Sequence, residues 1–104
     1  MNGGLALHPE AFEDLDEIRA YIAQESPDAA DRIIVEIFEV IRGLVPFPHQ
    51  GHLRPDLTSR PLRFTLAREY LIAYAPDEKP LWVIAVMHGR RDPRVMAAIL
   101  RDRR

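Results

Sequence analysis

A serine–proline pair, Ser26-Pro27, stands between two runs of apolar residues at helical spacing, and no other feature narrows the fold as much. Before it, Ala11, Leu15, Ile18 and Ile22 recur at i, i+4, i+7 and i+11, the stripe of one helical face. After it, Ala30, Ile33, Ile34, Ile37, Phe38, Ile41 and Leu44 continue at the same period. Serine accepts a hydrogen bond from the first free N–H groups of a helix, and proline suits the first turn, where no N–H is needed. The pair therefore opens a second helix that runs to about Val45. The first helix starts at Pro9, with Glu10, Glu13 and Asp14 crowding its positive end, and reaches about Gln24. Only Glu25 lies between that end and the serine cap, so the helices must fold back as an antiparallel hairpin.

The flanking segments follow a different period. Residues 3–8, GGLALH, read as a short strand with Leu5 and Leu7 on one face. Prolines, a glycine, histidines and short polar residues from Pro46 to Pro61 read as a long loop. Three strands then follow at about Leu62–Ala67, Tyr70–Ala75 and Leu81–Met87, with Arg68-Glu69 and Pro76–Pro80 as the turns between them. Tyr70, Ile72 and Tyr74 alternate with Leu71, Ala73 and Ala75, so both faces of the second of these strands are apolar and it belongs in the middle of a sheet. The last strand, LWVIAVM, is apolar throughout and is expected to be buried. Asp92-Pro93 opens a short final helix carrying Val95, Met96, Ile99 and Leu100; whether it docks without a partner is left open. The expected fold class is α+β: an N-terminal strand, an antiparallel helical hairpin on one face of a mainly antiparallel four-stranded sheet, and a short C-terminal helix, within a single domain over residues 1–104.

Charge is divided unevenly along the chain. Residues 1–45 hold ten acids and three bases, a balance of −7, whereas residues 46–104 hold six acids and eleven bases, a balance of +5. Lys79 is the sole lysine among 14 cations. Guanidinium groups bind carboxylate and phosphate through two parallel hydrogen bonds, so the basic half points to anionic or acidic partners. The chain has no cysteine, which excludes disulfides and thiolate chemistry. No apolar run reaches the roughly 18 residues of a membrane span, and Met1 to Leu7 lacks the marks of a secretory leader. A cytoplasmic protein without a membrane partner is expected. His49 and His52 are spaced like metal ligands but have no acid or thiol at useful spacing, so they are read as loop residues and no metal is expected. Glycine-rich phosphate loops and nucleophile elbows are missing, and no cofactor is expected.

Several short motifs in order resemble one known family. The first helix reads A-x-x-D-L-x-E-I-x-x-Y-I from Ala11 to Ile22, and the second opens S-P-x-x-A from Ser26 to Ala30. The loop reads P-x-x-G-x-x-R-x-D-L from Pro48 to Leu57. Arg63 precedes Y-L-I-x-Y from Tyr70 to Tyr74, and the last strand closes on H-G-R-R-D-P from His88 to Pro93. Together, over about residues 5–100, these resemble the RelE/ParE toxins of type II toxin–antitoxin modules, in particular the plasmid-stabilisation group. The resemblance implies a growth-inhibiting toxin held inactive in a hetero-oligomer with a ParD- or RelB-like antitoxin. It also implies one of two targets. ParE-like members inhibit DNA gyrase without known covalent chemistry of their own; RelE-like members cut mRNA on the ribosome.

RNA cleavage without a metal needs a base, an acid and cations for the phosphorane charge. In the ribonuclease pattern an arginine stands where this chain has Leu71, and a tyrosine stands near Met96, which cannot move a proton. Arg90 matches a second arginine. A ribonuclease would therefore have to work with His88, Arg90 and Arg63. The gyrase reading asks only for a binding face, assigned to Arg90, Arg91, Arg94, Arg101, Arg103 and Arg104; on a helix, Arg90, Arg94 and Arg101 would share one side. Phe38, Arg54 and Arg63 are the candidates for antitoxin contact. Some of these residues have plainer readings: His88 as a strand-end residue with its ring bonded to a backbone carbonyl, and Arg54 and Arg63 as anchors of the loop through Asp56; Asp92 is read as a helix cap. A third possibility is a non-toxic module that keeps the fold only to pair with its partner.

Overall fold

The computed structural model describes residues 4–104. Gly3, the first residue of the expected N-terminal strand, lies outside the described residues, as do Met1 and Asn2. The elements are β1 (Leu5–Leu7), α1 (Pro9–Ala23), α2 (Pro27–Leu44), a single 3₁₀ turn (Pro48–Gln50), β2 (Arg63–Ala67), β3 (Tyr70–Ala75), β4 (Leu81–His88) and α3 (Pro93–Asp102). Each helix starts on the cap its sequence offers. His8 Nδ1 accepts from the Glu10 N–H at 3.0 Å, Ser26 Oγ from Ala29 at 3.1 Å, and Asp92 Oδ1 from Arg94 at 2.8 Å. Arg19 on α1 reaches across the hairpin to Asp31 on α2 at 2.8 Å.

The sheet has the order β1-β4-β3-β2. β2, β3 and β4 form the antiparallel meander, and β1 lies parallel beside β4, Leu5 opposite Leu81 and Leu7 opposite Val83. The β2–β3 turn forces Arg68 to a positive φ of 54°. That conformation usually goes to glycine, but here the Arg68 guanidinium is held by two bonds to Glu36 of α2. Between β3 and β4 the register shifts: Ala73 faces Ala85 but Tyr74 faces Val83, which leaves Ile84 unmatched. Such a bulge reverses which side later residues face. Accordingly Leu81, Val83 and Val86 join one core and Ile84, Ala85 and Met87 the other.

The two apolar faces of β3 are covered differently. Tyr70, Ile72 and Tyr74 pack under the hairpin with Ala11, Leu15, Ile37, Ile41 and Leu44. Leu71 and Ala73 pack on the other side with Leu57, Leu62 and Phe64, and with Met96 and Leu100 of α3. The final helix is thus a docked layer of the fold. Its end is tied down twice. Arg60 Nη1 donates to the carbonyls of Leu100 and Arg103 at 2.7 and 2.6 Å. Arg103 Nη2 donates to Asp14 Oδ1 at 2.9 Å, and its Nη1 to the other oxygen of that carboxylate and to the bulged Ile84 carbonyl at 3.1 Å.

The loop before β2 is pinned rather than loose. Gly51 N–H donates to the Tyr74 hydroxyl at 3.0 Å, and its carbonyl accepts from Arg63 Nη1 at 2.8 Å. His52 and Phe64 exchange two backbone bonds of 2.8 Å. Arg54 closes a fork on Asp56 at 2.9 and 2.8 Å. Arg54 thus anchors the loop through Asp56 as expected, whereas Arg63 does so through the Gly51 carbonyl.

Candidate functional site

β4 delivers His88 to the end of the sheet, and the chain turns through Gly89–Asp92 into α3. The turn is fixed from within. Gly89 N–H donates to the Glu69 carbonyl at 2.7 Å and Arg91 N–H to the His88 carbonyl at 3.0 Å. The His88 ring accepts the Arg90 N–H on Nδ1 at 3.1 Å and stands edge-on to Tyr70, centroids 5.5 Å apart. His88 therefore bonds backbone, but as acceptor from an N–H rather than as donor to a carbonyl. Burial pushes the Tyr70 hydroxyl above its usual pKa, with a further push from the neighbouring Glu69.

The basic residues sort into two groups. Arg90, Arg91, Arg94, Arg101 and Arg104 are exposed. Among the described residues Arg90 and Arg91 have no side-chain ion pair, and Arg94 is paired only with its neighbour Asp92 while staying 91% exposed. Arg90 lies in the turn before α3, so it does not share a helical side with Arg94 and Arg101. Those two, seven residues apart, stand on one side of α3 about 10 Å from each other along its axis. Arg103 leaves the group altogether: its side chain is 9% exposed and neutralised by Asp14. An arginine assigned to an outer binding face is in fact an internal anchor, because the Asp14 carboxylate and the Ile84 carbonyl both need a donor there.

The ribonuclease set is not brought together. Arg63 stands opposite Tyr74 and His88 opposite Tyr70, at the two ends of β3 and roughly 13 Å apart along the strand. Leu71 lies on the opposite face of the sheet from His88. The cavity above Leu71, about 350 Å³, is also lined by His52, Arg54, Phe64, Thr65 and Leu66. The antitoxin candidates divide in the same way. Phe38 packs half-buried under the hairpin, Arg63 is spent on Gly51, and Arg54 rims the cavity on the other face. His49 pairs with Asp77 at 2.9 Å, a partner from a distant turn.

Sequence reasoning missed Asp14, Arg60 and the pairing of Arg103. One signal was present: Asp14 falls inside the Ala11–Leu15–Ile18 stripe, where a carboxylate is out of place unless it has a buried partner. Glu10, Glu13, Asp16 and Glu17 of α1 are exposed, whereas Asp14 turns inward.

The family comparison decides what this scaffold is. Residues 5–93 match the model of the ParE toxin of type II toxin–antitoxin systems, parDE. The chain belongs to the ParE toxin family. Among its relatives is Y4kP, a Sinorhizobium fredii protein named as a toxin, 32% identical over 93 residues and covering 83% of this chain and 88% of that one. Toxin ParE2 of Mycobacterium tuberculosis is 26% identical over 112 residues, covering 99% of this chain and 97% of its own length. The solved chromosomal ParDE system from P. aeruginosa has the same fold, with a TM-score of 0.67 at 24% identity over 84% of this chain and 96% of that one. In this ParE-family toxin no helix among the described residues is long and apolar enough to cross a membrane.

Three exposed carboxylates of the toxin have pKa values below the usual range. Hydrogen bonds from Arg68 lower Glu36, those from Arg54 lower Asp56, and those from the Arg94 side chain and backbone lower Asp92. A carboxylate whose pKa is depressed by folding adds stability above its unfolded pKa and gives it up as pH falls through the lower, folded value. The thermal midpoint is therefore expected to hold between pH 7 and roughly 5, then to fall as pH drops through about 4 and below. Salt should blunt the fall, since all three pairs are exposed. Circular-dichroism melts across this range check it; a midpoint that rose on acidification would contradict it.

Proposed function

We propose that this ParE-family toxin inhibits DNA gyrase in the cytoplasm by docking the turn that joins β4 to α3, and that a cognate antitoxin neutralises it by covering the same turn. The observation that carries the reading is the state of Arg90 and Arg91. Both are exposed on a turn fixed by backbone bonds, next to a helix locked into the fold, and neither guanidinium has an ion pair among the described residues. Cations held in place but left unpaired suit an anionic or acidic partner. Arg94 and Arg101 extend the same basic surface along α3. An acidic, partly apolar antitoxin segment would be drawn to this surface, with Arg54 and the cavity over Leu71 able to take its continuation. The gap between His88 and Arg63, and the apolar floor at Leu71, disfavour catalysis on RNA.

Purified toxin is expected to reduce gyrase supercoiling or to accumulate cleaved DNA complexes. Arg90→Ala with Arg91→Ala should weaken that inhibition at least about tenfold, the effect of losing one or two charge-assisted bonds, without lowering the thermal midpoint. Truncating residues 90–104 would be uninformative, because Met96, Leu100 and Arg103 belong to the fold. Unimpaired supercoiling at excess toxin would overturn the proposal. Codon-positioned mRNA cuts that vanish in His88→Ala would point to the ribosome, and unaffected growth on strong expression would point to a pairing module.

A further inference from the structure

The groove between α1 and the uncovered edge of β4 already holds one guanidinium. β1 covers β4 only as far as Val83, and beyond it the strand edge faces α1. Arg103 fills the first part of this groove, between a carboxylate of α1 (Asp14) and a carbonyl of β4 (Ile84). The same pair of groups recurs one step further on. Three residues along α1 stands Glu17, and two residues along β4 stands Val86. The Val86 N–H donates to Asp14 Oδ2 at 3.0 Å, so that residue faces α1, and in extended backbone its carbonyl points the same way. Here, however, no internal cation occupies the step. Glu17 has no ion pair among the described residues, and a cavity of about 360 Å³ lies over it.

Two rings complete the lining. Tyr21, 73% exposed, and Tyr70 stand on the same cavity, and aromatic faces attract cations. His88 and Arg91 lie on it as well. Arg91 is exposed and carries no internal bond to Glu17, so it does not fill the step. Exposed carboxylates at Glu13 and Asp16 add negative charge along α1.

We infer that this cavity is a docking site for an arginine side chain of a partner polypeptide, its guanidinium set between Glu17 and the Val86 carbonyl and flanked by Tyr21 and Tyr70, as Arg103 is set between Asp14 and Ile84. Of the outward arginines Arg91 lines the site, and the inference does not depend on gyrase being the target.

The test uses the full-length toxin and a short blocked peptide, acetyl-Ala-Val-Arg-Val-Ala-amide, followed by 1H–15N NMR titration. Saturable shifts are expected at the amides of Glu17, Tyr21, Val86 and His88. The same peptide with citrulline, which keeps the shape and loses the charge, should bind at least about fivefold more weakly, and Glu17→Gln should weaken the arginine peptide by a similar factor. Glu17 and Tyr21 are exposed, so an unchanged thermal midpoint separates lost binding from lost fold. Arg91→Ala should leave binding unchanged or strengthen it. The inference fails if no saturable shift appears, if citrulline binds as well as arginine, or if a glutamate peptide binds instead and loses its affinity in Arg91→Ala.

Discussion

Asp14→Ala is expected to lower the stability of the toxin by about 3–5 kcal/mol, the loss typical when one member of a buried ion pair is removed. Both partners are enclosed, with Asp14 12% and Arg103 9% exposed. The substitution strands the Arg103 guanidinium in a niche where only the Ile84 carbonyl and, at 3.8 Å, Glu10 remain to it. It also takes the acceptor from the Val86 N–H. In a chain of this length the thermal midpoint should drop by more than about 10 °C. Arg103→Ala should cost a similar amount, because the carboxylate is then left enclosed. Replacing both together, Asp14→Leu with Arg103→Met, should recover much of the loss, since the desolvation of two charges disappears along with their attraction. Urea unfolding of the four proteins measures this. A loss below about 1 kcal/mol in either single variant would mean that water reaches the pair and that α3 is held by its apolar face and by Arg60.

Gly51→Ala is the second change expected to have a large effect. Its backbone is extended, so the difficulty is space and not conformation. An added Cβ would lie 2.6 Å from the Tyr74 hydroxyl and 2.8 Å from the Phe64 carbonyl oxygen. Neither gives way cheaply. The carbonyl is held by the His52 N–H, and Tyr74 is fully buried beneath the hairpin. Overpacking of this kind, together with the strained Gly51–Tyr74 bond, should cost roughly 2–4 kcal/mol. Tyr74→Phe alone should cost about 1–2 kcal/mol, because the Gly51 N–H loses its acceptor. In the Tyr74→Phe background the alanine meets no hydroxyl and should do less harm. A double-mutant cycle reads that difference; coupling under about 0.5 kcal/mol would place the clash on the Phe64 carbonyl and the ring of Tyr74 rather than on its hydroxyl.

These two positions differ in how visible they were beforehand. Gly51 sat in a motif that already marked it, P-x-x-G-x-x-R, although nothing local indicated that Tyr74 would lie against it. Asp14 carried a weaker mark, a charge in an apolar stripe, and Arg103 carried none. In the sequence it is one more cation in a basic tail, and it was assigned outward with its neighbours. Arg90, Arg91 and Arg94 follow from the same reasoning, and they are exposed in the turn before α3 and in its first turn. Arg63 and His88 looked like a pair when written in a line, and the meander carries them to opposite ends of β3.

The amino-acid order by itself determined the two hairpin helices, the cap of α2 at Ser26 and of α3 at Asp92, the three meander strands and the central place of β3. Those features depend on residues within about four positions of one another, where capping and side-chain periodicity operate. Only the tertiary structure decided that β1 runs parallel beside β4, that a bulge at Ile84 splits that strand between two cores, and that α3 closes the second core. The reason is reach. The bond from Arg103 to Asp14 spans 89 residues, and which charge turns inward depends on the carbonyl, the carboxylate and the free strand edge that the whole fold brings to one place.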